Sequence, residues 1–278
     1  MLALWLALAS AAPCAFDDAQ QQFVGTPTEQ AACLLRDVRQ WGHLGPVHPR
    51  LPEPLQTLVG QPTAVQPESF TAYIQAAGIH PNDIGGPIAD PLCTARNNAP
   101  DAASARYFVI HDTSTPIPDM NGPFPDGIDS AEWRGNDLTR WAGRPIAHVF
   151  VSRVGQSITT RPFSEPSNWA TKFERDHLDR QGGLMLHIEL IQPRRRDPNG
   201  GARNDAIAPD VGFTDAQLDR LALLYIAASV RKGQWLIPAF HSAVDDGIPD
   251  AHDDPQNFDL DRWAERLAAL ITLVSEPQ

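Results

Sequence analysis

Cysteine is scarce: the 278 residues hold three, Cys14, Cys33 and Cys93. No two of them stand at CxxC spacing, which excludes a zinc knuckle built on cysteine. Basic side chains are outnumbered, 22 against 34 acidic, giving a formal charge of −12. That balance excludes a nucleic-acid groove held by general electrostatics. Long apolar runs are missing as well; the stretch Leu2 to Ala9 is too short to span a bilayer. There is no HExxH helix, no GxSxG elbow and no P-loop. The acidic loop near the C-terminus lacks the spacing, ending in Glu, that an EF-hand requires. No internal repeat or low-complexity tract is seen. A hydrophobic fraction of 42% with 20% charged residues describes a globular chain.

Residues 1–16 are expected to form a signal peptide, with Leu2 to Ala9 as its apolar region and Ala9-Ser10-Ala11 as a cleavage signal. The usual basic start is absent, and a buried first helix is the competing reading. The mature chain is then exported, periplasmic or extracellular, without a transmembrane span. If Cys14 leaves with the signal, Cys33 and Cys93 remain as an even pair, and a disulfide between them is expected.

Residues 17–100 read as a helical, loop-rich extension. Thr26, Pro27 and Glu29 make a capping box and predict a helix over Thr26 to Trp41. Gly45 to Gln66 is proline-rich and reads as a loop. "PESFTAYIQAAGI" reads as a short helix stopped by Gly78. From residue 101 to 278 the pattern changes. "RYFVI" is a buried strand ending on His111, "IAHVFVSRVGQSITTRPF" a hairpin turning at Gly155, and Leu184 to Ile191 another strand. A long helix follows, capped by Thr214 with Gln217 and stopped at Gly233. "QWLIPAF" is a strand that delivers His241, and a last helix spans roughly Asp259 to Val274. The expected fold is α/β, a central mixed sheet flanked by helices.

Two strands therefore end on a histidine, His111 and His241, positions where a rigid sheet holds a side chain facing an opening. With a carboxylate from the acidic loop "PAFHSAVDDGIPDAHDDPQNFD" they would supply the three protein ligands of a catalytic zinc. Such a site also needs a base. Glu189 sits among apolar neighbours on a predicted buried strand, a costly place for a carboxylate unless it is paired or working. An ion pair with one of Arg194 to Arg196 is the alternative. His187 shares a strand face with Glu189.

With these residues in place, the chain resembles the zinc-dependent N-acetylmuramoyl-L-alanine amidases of the amidase-2 type. That group includes AmpD-like enzymes, phage amidases and peptidoglycan recognition proteins. The resemblance covers about Arg106 to Leu270. It implies His111 and His241 as zinc ligands, Asp254 ahead of Pro255 as the third, and Glu189 as the residue that activates water. His252 takes the place of the family's oxyanion-stabilising lysine. The implied partner is peptidoglycan or a muropeptide, and the implied reaction is cleavage of the amide between N-acetylmuramic acid and L-alanine. A non-catalytic peptidoglycan-binding module and a stem-peptide endopeptidase are the alternatives. The sequence departs from the family in its longer loop, which leaves Asp253 or Asp250 open as the third ligand. It also reads "DPQ" for "DPG" and "WATK" (Trp169 to Lys172) for "WHAG". The run Arg194 to Arg196 could meet stem-peptide carboxylates or be a solvated loop.

Overall fold

Apolar β-branched and aromatic runs flanked by turn residues become strands, and in the computed structural model, which describes residues 14–199 and 206–275 apart from the side chain of Trp41, five of them build the central sheet. Its strands are β3 (Tyr107–Asp112), β5 (Val149–Val151), β6 (Ser157–Thr159), β7 (Met185–Leu190) and β10 (Ile237–Phe240), in the order β10-β3-β7-β5-β6. The first four in that order run parallel, and β6 closes antiparallel on β5, so the sheet is mixed. Every residue of β3 and β10 is buried, as expected for parallel strands covered on both sides. The expected signal run, Leu2 to Ala9, lies outside the described residues.

The helices are α1 (Pro27–Leu34), α2 (Glu53–Leu58), α3 (Pro67–Ala76), α4 (Ala95–Asn98), α5 (Lys172–His177), α6 (Asp215–Lys232), α7 (His241–Val244) and α8 (Leu260–Ser275). Helix α6 starts on the Thr214/Gln217 capping box and stops at Gly233, whose φ of 71° is left-handed. It packs on α8 and β5, while α1 packs on β10 and α7. Beside the main sheet lie a small pair, β1 (Phe16–Asp17) with β2 (Gln22–Phe23), and a three-stranded sheet. The latter comprises β4 (Thr115–Pro116), β8 (Pro193–Arg196) and β9 (Ala206–Ile207).

Several expectations are corrected. The first helix ends at Leu34, not near Trp41: the Arg36 side chain folds back onto the Cys33 carbonyl and reaches Asp246, and a Val38–Leu44 bridge turns the chain. The proline-rich loop contains α2, because prolines beside a helix start are pre-set for the first turn, and Leu55 is buried there. The disulfide joins Cys14 to Cys33, and Cys93 is a buried free thiol whose Sγ faces the Gly183 carbonyl. Cys14 thus belongs to the folded chain, as does Phe16, whose ring packs edge-on against Phe23 and Phe173. Residues of the N-terminal region, Phe23 to Cys93, share one continuous apolar core with β3, β7, α6 and α8.

Candidate metal centre

Because β10, β3, β7 and β5 run parallel, their carboxyl ends share one rim, where open α/β sheets hold ligands. His111 stands opposite Glu189 across the β3–β7 pair. His241 follows Phe240, the residue of β10 paired with Ile110, and so arrives beside His111. The acidic loop then returns to the same point. The Ser242 N–H donates to the Asp254 carbonyl at 2.9 Å, and the Asp112 N–H to the Asp254 carboxylate at 3.1 Å.

The Nδ1 atoms of His111 and His241 lie 2.9 Å apart. The Asp254 carboxylate is 3.0 Å from His241 Nδ1 and 3.7 Å from His111 Nδ1. All three side chains are buried, and one ligand atom from each lies within 4.8 Å of the others. A tetrahedral zinc with bonds of about 2.1 Å would hold its ligand atoms about 3.4 Å apart, a value these distances bracket. Two imidazole nitrogens and a carboxylate turned on one point form a donor set that could hold a metal ion. Burial and the neighbouring charge of His241 keep His111 well below the ordinary histidine range, which leaves it neutral, the form a ligand needs. In the metal-free fold burial opposes charge on His241 as well, but Asp254 and Asp245 prevail and hold it up at about 10.

Among the described residues Glu189 has no arginine partner. Its Oε1 is 4.0 Å from His111 Nδ1, and its Oε2 is buried without a hydrogen-bond partner among the described residues. Burial first, and then the Asp254 charge, push its carboxyl up to about 8. Arg194 is drawn instead into a buried ion pair with Asp112 at 2.5 Å, so this member of the arginine run is neither solvated nor free for substrate. Arg195 lies over the Phe124 ring and Arg196 is exposed.

Among the candidate third ligands, Asp254 joins the histidines. Asp253 turns to the Gln256 side chain and Arg194, and Asp250 is exposed in a turn. His252 stands at the mouth, 59% exposed, with Nδ1 3.7 Å from Asp254 and its ring 4.7 Å from that of His241. Burial, followed by the charge of His241, lowers its pKa, so it would donate as a neutral ring. Trp169 is exposed with the Arg180 guanidinium over its ring. A groove of 640 Å³ lined by Tyr73, Arg220, Leu223 and Leu270 contains none of these residues.

Sequence reasoning missed two carboxylates behind the histidines. Asp245 lies 3.1 Å from His241 Nε2, and Glu174 contacts His187, whose Nδ1 is 2.9 Å from His111 Nε2. Asp245 carried a faint signal in its spacing of four from His241 within a helical turn. Glu174 carried one in the capping box it makes with Thr171.

No family model matches the sequence, and no curated protein matches it. Among solved structures, one described as a selenomethionine derivative of AmpD is similar over 64% of this chain and 92% of its own. The identity is 21% and the TM-score 0.36, an overlap too loose to bear on the chemistry of this site.

Proposed function

We propose that the protein is a zinc-dependent hydrolase that cleaves the amide between the lactyl group of N-acetylmuramic acid and L-alanine in peptidoglycan or muropeptides. The observation that carries this reading is the convergence of His111, His241 and Asp254 beside Glu189, whose Oε2 is buried and, among the described residues, without a hydrogen-bond partner. These residues also follow one another in the order of the amidase-2 pattern described above. The Cys14–Cys33 disulfide supports export to an oxidising compartment, and no described helix is long and apolar enough to cross a membrane.

His111, His241 and Asp254 would hold the zinc, which when bound acts as a Lewis acid on the scissile carbonyl and acidifies water. Glu189 takes the proton from the attacking water as the new carbon–oxygen bond forms. It then delivers that proton to the amide nitrogen as the carbon–nitrogen bond breaks. A carboxyl held near neutrality suits both transfers. His252 donates a hydrogen bond toward the carbonyl oxygen as negative charge gathers there.

Digestion of purified sacculi by the zinc-loaded protein, with products identified by mass, tests this. Free stem peptides beginning with L-alanine support the amidase. Shortened stems still attached to muramic acid would make the protein an endopeptidase. Sacculus binding without any release would leave only a binding module.

A further inference from the structure

Four consecutive backbone N–H groups lead into α5, from Ala170 before its N-cap Thr171 to Phe173, and all four are taken by two carboxylates. Ala170 and Thr171 donate to Glu174 Oε2 at 2.9 and 3.2 Å. Lys172 and Phe173 donate to the two oxygens of Asp245 at 3.1 and 2.8 Å. Both acids are fully buried, and each faces an imidazole: Asp245 Oδ2 lies 3.1 Å from His241 Nε2, and Glu174 bonds His187 Nε2 through its other oxygen, Oε1, at 3.3 Å.

Both carboxylates already act as acceptors of main-chain N–H groups, so the ring nitrogen facing each is placed to donate. His241 then keeps its proton on Nε2, and Nδ1, turned toward His111 and Asp254, is the atom that gives up its proton when a metal binds. His187 is likewise protonated at Nε2, leaving Nδ1 as an acceptor 2.9 Å from His111 Nε2. That forces the His111 proton onto Nε2 and frees its Nδ1 for the same point. The His187 main-chain N–H donates to His148 Nδ1 at 3.0 Å, which ties β7 to the start of β5.

We propose that Ala170 to Glu174 is a shared anchor that sets the tautomer of both histidine ligands, directly through Asp245 for His241 and through Glu174 and His187 for His111. Glu174, His187 and Asp245 are positioning residues: they act on the metal ligands and not on substrate. The assignment rests on the metal-centre reading. It also gives a role to the "WATK" segment, whose main chain supplies the donors.

Glu174→Gln is the informative change. The glutamine oxygen must still accept from Ala170 and Thr171, which turns its NH2 toward His187 Nε2. His187 would then carry its proton on Nδ1 and push the His111 proton onto Nδ1, blocking the ligand atom. Substituting an amide for a carboxylate behind a histidine is known to impose the wrong tautomer with little change in geometry.

The experiment is long-range 1H–15N NMR of the histidine rings in metal-free protein, together with zinc affinity by chelator competition. The parent should show Nε2–H on His111 and His187. E174Q should show Nδ1–H on both and bind zinc about 10- to 100-fold more weakly. In an H187L background, which severs the chain, E174Q should change zinc affinity by less than about twofold, since coupled sites are non-additive. The proposal is overturned by Nδ1–H on His111 in the parent, by unchanged zinc affinity in E174Q, or by equal losses in both backgrounds. Should E174Q not fold, the parent's tautomers and the zinc affinity of H187L, expected at least about tenfold weaker, still decide it. A parent with the expected tautomers that binds no zinc would sink the metal centre itself and the proposed role with it.

Discussion

Glu189 is the residue on which the proposed chemistry turns, and it offers two separate measurements. Glu189→Gln should retain zinc and lose roughly 10²- to 10⁴-fold in turnover, read from bound metal and from the rate of stem-peptide release. Full activity in that variant would remove Glu189 as the base. The second measurement is made without metal. Folding raises the Glu189 pKa from an ordinary 4.5 to about 8, so the fold favours its protonated form. That contribution is complete below about pH 4.5 and is lost as pH rises through 8. Glutamine is neutral throughout. The metal-free variant should therefore gain in melting temperature relative to the metal-free parent as pH rises from 5 to about 8. His241, held up at about 10, loses its contribution on the alkaline side in both proteins.

At the scale of elements, strand β8 matters to the centre through one side chain. Arg194 neutralises Asp112, whose backbone N–H holds Asp254. Arg194→Met leaves a buried carboxylate without its cation and should cost about 3–5 kcal/mol in urea unfolding, with weaker zinc binding as a companion effect. Elements written in local chemistry could be read in advance. The capping boxes at Thr26 and Thr214, the stop at Gly233 and the apolar strands ending at His111 and His241 lie where the sequence implied. Elements that depend on distant partners could not be read. The strands β4, β8 and β9 are too short to show a pattern of their own and pair with one another, and α5 is one turn and a half in a segment without periodicity. The same divide runs through the site. Strand-end histidines and an acid in an apolar strand are visible from composition, whereas Glu174 acquires meaning only once α5 lies behind β7.

Across the whole molecule, the covalent link is local and the cohesion is not. Cys14 and Cys33 are 19 residues apart, and closing a loop of that size restricts the unfolded chain by about 3 kcal/mol. Cys93 is buried, and that burial pushes its thiol up to about 12, so it should not react in the folded state. A thiol reagent should count no reactive group in the native protein, one after denaturation and three after denaturation with reduction. A native thiol that reacts promptly would contradict the burial of Cys93. The N-terminal region is tied to the sheet by longer-range bonds. The Phe23 N–H donates to the Tyr107 hydroxyl at 2.7 Å, that hydroxyl donates to Gln30, and Arg36 pairs with Asp246.

That region also meets the one border of the main sheet formed by a parallel strand. β10 has β3 on one side only; α1 packs against β10, and Gly60 and Gln61 exchange main-chain hydrogen bonds with Trp235 just before it. An uncovered apolar border of this kind is a template for strands of other molecules. A shortened chain starting at residue 101 would keep His111, Glu189, His241 and Asp254, and light scattering is expected to show it self-associating more than the full chain.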